Sequence, residues 1–314
     1  MTSNGLPPIL FRPARDADVE RTYEVFVQAA DDLGARLGRP SRAAASAPSL
    51  RALHVRRAVL KHDGERFWVA EAEGVVVGFG MAILRDDVWH LAALHVMPAF
   101  QGRGIGSELI RRTLDGTRPT TILTVLTDAS NPISNALYLR FGMLPQDSIL
   151  AFDGLVEGVK AGGDGRTGGV GGLTTRPLDL ERDQTALASI DLATIGFARP
   201  TDHVMWTTVP GLAGHLVLRG GVVRGYLYAS DAGAIGPLAV HDPADLTAAL
   251  RLAALDAHDR GASSLHVRVC GSARTAVAWL IEHGFRLSTT GLFLTSRPVG
   301  RLDRYATSGG DALY

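Results

Sequence analysis

Between His90 and Arg112 the chain gathers residues whose types and spacing could do chemistry. His90 and His95 sit in an apolar run, Gln101 follows, glycines occupy the alternate positions Gly102, Gly104 and Gly106, and Arg103, Arg111 and Arg112 lie among and after them. Glycine reaches positive φ without a Cβ penalty, so this backbone can curl and let a ligand approach its amides. A helical pattern starts directly after the turn, and the unpaired N–H groups and positive dipole end of a helix make an anion site. A phosphate is the expected guest. Two common phosphate loops do not fit. A Walker-type loop needs Lys-Ser/Thr after its last glycine, where Ser107-Glu108 stand here, and the dinucleotide fingerprint needs a third glycine where Ser107 stands. A glycine-rich turn that only joins a strand to a helix is the plain alternative.

Downstream, Asn131, Ser134, Leu137, Tyr138, Gly142 and Met143 form a second patterned set. Together with Val96-x-Pro98 and Gln101-Gly102-Arg103-Gly104-Ile105-Gly106, it resembles the GNAT superfamily of N-acetyltransferases. That family's loop reads Gln/Arg-x-x-Gly-x-Gly/Ala, and its second motif ends in Gly-Phe, where Met143 stands here. The resemblance implies acetyl-CoA as co-substrate, no metal, and direct attack of an amine on the thioester in a ternary complex. It places the cofactor at Gln101, Gly102, Arg103, Gly104, Ile105, Gly106, Ser107 and Asn131, and it pairs the pantetheine arm with the backbone of Leu94 and Val96 where that strand splays. Tyr138 is the implied acid for the departing thiolate. His90, six residues before Val96, is the expected base, for which an ordinary imidazole pKa of about 6.5 is suited, and a partner-bonded or solvent-facing strand histidine is the equal alternative. His95 is an odd number of residues away and should face the other way unless a bulge intervenes. For Arg111 and Arg112 a solvated helix face is as good a reading as a phosphate contact, and Tyr138 also fits a merely packed helical position.

The elements that must position these residues are legible around them. Residues 9–13 read as a short strand, Asp16 as the cap of a helix whose apolar face carries Val19, Tyr23, Phe26 and Leu33, and Ser49 as the cap of a second helix. This broken helical pair resembles the region that walls the acceptor site in the family; Asp31 and Asp32 on it read as a solvated face. Residues 67–72 and 75–84 form a hairpin about Glu73-Gly74, and 88–96 the strand entering the glycine loop. A strand over 120–126, a helix over 132–141 and one or two strands from 143 to 152 follow. The fold class is α/β (α+β), with two tandem GNAT-like domains, each a mixed, mostly antiparallel sheet flanked by helices.

Residues 1–153 make the expected acetyl-CoA-binding catalytic domain, 154–172 a glycine-rich linker, and 173–314 a degenerate second copy. Arg176-Pro177 repeats Arg12-Pro13 at the end of a short strand, and a second hairpin surrounds Arg219-Gly220-Gly221. The place of the glycine loop is taken by Asp242–Leu250, with no glycine and with two carboxylates that repel phosphate. Leu280 stands where Tyr138 would be and Ala273 where Asn131 would be. One cofactor per chain is therefore expected.

A chain of 314 residues suits two domains, and a net charge of zero offers nothing to nucleic acid or an anionic membrane. Lysine occurs only at Lys61 and Lys160, while arginine is scattered. The single cysteine, Cys270, excludes an intrachain disulfide and reads as a buried structural thiol. No leader or spanning segment is apparent, so a cytoplasmic protein, monomer or homodimer, is expected. The function read from these features is acetyl transfer to a primary amine of a small molecule. Acetylation of a protein N-terminus or lysine is the alternative within the class. A non-catalytic CoA-binding regulatory protein is the alternative outside it, and an intact Tyr138 and Asn131 argue against that.

Overall fold

The computed structural model describes residues 7–39, 50–160 and 169–308, so the Ser49 cap, the 40–48 stretch and residues 161–168 of the expected linker lie outside the described residues. The chain divides into two compact units, one within Met1–Val125 and Asn131–Phe141 and the other within Leu126–Ser130 and Gly142–Tyr314. Each carries a mostly antiparallel sheet flanked by helices.

In the first unit, β1 (Leu10–Pro13), α1 (Val19–Arg36), α2 (Leu50–His62), β2 (Phe67–Ala72), β3 (Val75–Arg85), β4 (Val88–Val96), α3 (Ile105–Thr113), β5 (Ile122–Asp128, whose last three residues belong to the second unit) and α4 (Pro132–Arg140) follow in order. The strands lie in sequence order, antiparallel from β1 to β4, and β4 pairs in parallel with Ile122–Val125 of β5. Glu73 and Gly74 take consecutive left-handed conformations, φ 50° and 80°, which is what a two-residue hairpin requires. On β3, Gly78 and Gly80 make room for α3. A Cβ on Gly80 would stand 3.2 Å from Cβ of Leu109, so any larger residue would push the helix away. Asp16 does not cap α1. It sits in a 3₁₀ turn, and Asp18, at the N-cap position of α1, turns its carboxylate back to accept the N–H of Arg15 and both terminal nitrogens of Arg12 and makes no side-chain cap bond to α1.

The second unit contains β6 (Leu144–Leu155), α5 (Val156–Lys160), β7 (Leu173–Pro177), α6 (Leu180–Thr194), α7 (Pro200–Thr208), β8 (Leu212–Arg219), β9 (Val222–Ser230), β10 (Ala234–Val240), α8 (Leu246–Asp259), β11 (Ser264–Cys270), α9 (Arg274–Glu282), β12 (Arg286–Thr295) and β13 (Tyr305–Ala306). Arg176 and Asp183 repeat the Arg12–Asp18 pair, at 2.6 and 2.7 Å, which is the physical reason for the echoed Arg-Pro. Where the reading of residues 143–152 closes the first domain, β6 instead pairs with β11 on one side and β12 on the other, and Gly142–Leu155 pack in the second unit. The expected linker also starts later. Gly154 and Leu155 complete β6, and Val156 and Val159 of α5 are fully buried beside Leu246, Leu250 and Ala253 of α8. Cys270 is buried as expected, and desolvation pushes its thiol pKa up.

Candidate active site

The loop after β4 has the conformation its glycines allow. Gly102 and Gly104 take φ of +75° and +78°, Gly104 is the N-cap of α3, and a Cβ on either would meet nothing within 4 Å. The backbone thus demands glycine while the space beside it is open to a ligand. Gly106 does a different job from the one its spacing predicts. It lies in the first turn of α3 without a positive φ, and an added Cβ would come 3.3 Å from Cδ2 of Leu137. Its smallness lets α4 approach α3.

Gln101 folds back, Nε2 donating to the carbonyl of Val96 at 3.0 Å, and so ties the loop to the end of β4. Arg103 donates through Nη2 to the Pro7 carbonyl and lies 5.5 Å over the Phe100 ring; its buried Nη1 has no partner among the described residues. A buried cationic donor beside two open glycines fits a phosphate. Ile105 is buried, so it offers its backbone only, and Ser107 is half-buried in the same turn. Arg111 and Arg112 both pair with Glu108, and Arg112 also stacks 5.0 Å from each of Phe11 and Trp68, which favours the local helix reading for both.

Strand β4 changes character at Ala92. Met81 pairs with Ala93 but Ala82 pairs with Leu91, so Ala92 is an extra residue, a β-bulge. The parallel register with β5 covers Val88–Leu91, and Ala93–Val96 carry registered pairing only to β3. Leu94 and Val96, expected at the cofactor arm, are on this second segment. Their side chains face α3, since Gly80 and Gly78 are their cross-strand partners.

The bulge also decides the histidines. His90 pairs with Ile83 and His95 with Phe79, positions of equal parity on β3, so both face the side covered by α1 and α2. His90 is 1% exposed, in the doubly paired part of the strand. Nδ1 of His90 lies 3.2 Å from Thr124 Oγ1, and that hydroxyl donates to the Trp89 carbonyl at 3.1 Å. His95 is half-buried, edge-on to Phe26 of α1 with centroids 5.0 Å apart and 5.5 Å from Phe79. The Arg56 guanidinium of α2 lies 5.4–5.7 Å from the rings of Tyr23, Phe26 and Phe79.

On α4, Asn131 is the N-cap, its side chain accepting from the Ser134 N–H at 3.3 Å. The Asn-x-x-Ser spacing therefore has a capping reason of its own. Tyr138, one residue beyond the Leu137 that meets Gly106, is 5% exposed, and desolvation pushes its phenol pKa up.

In the second unit the corresponding positions are committed to packing. Asp242 accepts from the Ala244 N–H, and Asp245 is held by Arg219 at 2.6 Å and Arg224 at 3.2 Å. Ala273 caps α9 without a side-chain bond, and Leu280 is buried in the core. Between α6, α7 and β9 lies a network that the sequence reading missed. Asp191 accepts from Arg199 Nη2 (3.2 Å) and Tyr226 Oη (2.7 Å) and contacts His203 Nε2 (3.1 Å). Arg199 also reaches Tyr226 and Tyr305, and His203 Nδ1 meets Tyr228 Oη at 2.8 Å. All six side chains are nearly or fully inaccessible. Charged residues inside the apolar pattern of α6 and α7 were the available signal.

Residues 36–143 match the family model described as the acetyltransferase (GNAT) family. No curated protein matches the chain. Among solved structures, the chain is similar to an acetyltransferase candidate from Pyrococcus horikoshii (TM-score 0.73, 17% identity, covering 100% of this chain and 99% of that one). It is also similar to a GCN5-related N-acetyltransferase from Sphaerobacter thermophilus (0.62, 16%, 94% and 98%). A third likeness is to a tandem GNAT protein from the clavulanic acid biosynthesis pathway (0.56, 18%, 93% and 99%). At these identities the structures establish a shared fold. Among the described residues, no helix is long and apolar enough to cross a membrane.

Proposed function

Because the chain is an acyltransferase carrying a GNAT-family domain, whose members use acetyl-CoA, we propose that it moves acetyl from acetyl-CoA to the primary amine of a small molecule in its first unit. The observation that carries this reading is the loop with left-handed, unobstructed Gly102 and Gly104 at the start of α3, beside the unpartnered Nη1 of Arg103. Gly102, Arg103, Gly104 and the first amides of α3 would hold the pyrophosphate, and the β5 side of Leu94 and Val96 would hold the extended arm. A small acceptor is favoured because α1 and α2 pack over the β4 face that carries both histidines. The test is thioester cleavage with acetyl-CoA and a panel of ethanolamine, spermidine, tryptamine and glucosamine, set against peptide amines. Turnover with peptides alone would move the acceptor to proteins, and cleavage with neither class would sink the reading.

In this reading Tyr138 donates its proton to the sulfur as the carbon–sulfur bond breaks. The phenol is protonated throughout the neutral range, and burial pushes its pKa further up, so the proton it gives is present before the sulfur departs. Tyr138→Phe is expected to lower kcat by roughly ten- to a thousandfold with coenzyme A affinity little changed, because the ring still fills its site. Unchanged turnover, with chemistry limiting the rate, would assign Tyr138 to packing alone.

A further inference from the structure

We propose that His95, and not the more deeply placed His90, is the catalytic base that takes protons from the acceptor amine; this rests on the acyl-transfer reading above. Three observations converge on it. The bulge at Ala92 turns His95 onto the face covered by α1 and α2, the same face as His90. His95 is half-buried where His90 is 1% exposed, so a proton can leave its ring for solvent without opening the sheet. It also lies on the segment beyond Leu91, where β4 has left its register with β5 and where the arm of the thioester would run. His90, between two paired strands and bonded to Thr124, is held as a packed ring.

The surroundings of His95 suit a base that must keep one orientation. Phe26 meets it edge-on and Phe79 lies against it, so the ring is held between two aromatic side chains. Arg56 from α2 and Tyr23 from α1 lie about the same rings, and β3 contributes Phe79. The proton count then closes. The ammonium of the acceptor loses one proton to His95, which passes it to solvent. The neutral nitrogen bonds to the acetyl carbon, the carbon–sulfur bond breaks, and Tyr138 protonates the thiolate. His95 accepts the second nitrogen proton, and this proton restores the phenol by way of solvent. The products are the amide, coenzyme A as the thiol, and one proton released.

The test compares pH profiles of kcat/KM for wild type, His95→Gln and His90→Gln, using acetyl-CoA with the best amine of the panel, and checks coenzyme A affinity by calorimetry. His95→Gln is expected to lose about a hundredfold or more at pH 7, to lack the acidic limb of the wild-type profile, and to recover at alkaline pH where the amine arrives neutral. His90→Gln is expected to keep the limb, and both variants should bind coenzyme A as wild type does. A limb retained in His95→Gln, lost only in His90→Gln, or lost in both overturns the assignment. Failure of the wild type to turn over any amine overturns the acyl-transfer reading itself, a result distinguishable from the others because it appears before any substitution is made.

Discussion

Calorimetric titration with coenzyme A is expected to show one site per chain, and Gly104→Val is expected to remove it, with affinity falling by at least about a hundredfold, roughly 3 kcal/mol. The argument has two parts. Gly104 holds φ +78°, a conformation that costs a β-branched residue strain of roughly 1–3 kcal/mol. A Cβ there also projects into open space, so the protein can fold around it while the new methyl groups occupy the volume a phosphate needs. Gly104→Ala should fall between the two, separating strain from obstruction. The stoichiometry follows from the second unit, where the equivalent turn carries Asp242 and Asp245, the latter consumed by Arg219 and Arg224. Two sites per chain, or wild-type affinity in the valine variant, would refute this placement of the cofactor.

The second large effect is expected in the second unit. Asp191→Ala should destabilise the protein by roughly 3–5 kcal/mol, because it strands a buried guanidinium and removes the acceptor of Tyr226 and the partner of His203. Burial by itself would raise the Asp191 pKa, but the charge of Arg199 and the bond to His203 outweigh it and hold it down at about 2. A carboxylate depressed below its unfolded value of about 3.9 contributes stability that is present above that pH and is lost as pH falls toward 2. Chemical denaturation of wild type and variant should therefore differ most near neutrality and converge in acid. A difference below about 1 kcal/mol at pH 7 would show that the network is not a source of stability.

The contrast between the two units has a physical basis. In the first, Arg56 of α2 lies over the rings of Tyr23, Phe26 and Phe79, and Phe26 also meets the half-buried His95. In the second, Arg199 at the start of α7 is fully buried among the Trp206 and Tyr305 rings and the Asp191 carboxylate.

Sequence alone determined what depends on residues close together in the chain. The glycine loop, the Glu73-Gly74 hairpin, the strand over Val88–Val96 and the helix opened by Asn131 each follow from local conformational preference, and the structure places them where the spacing does. The repeated Arg-Pro was visible as text before the Arg–Asp pairs gave it a cause. Only tertiary structure decided the rest. Whether His95 joins His90 on one face depends on one unpaired residue at Ala92, which no alternation pattern can register because a bulge is a property of two strands together. The role of Gly106 depends on Leu137, thirty-one positions away, and that of β6 on strands more than a hundred residues distant. The Asp191 network likewise draws on α6, α7, β9 and β13, which share no local pattern. Its charges become a single neutralised cluster only once burial has removed the water that would otherwise keep them apart.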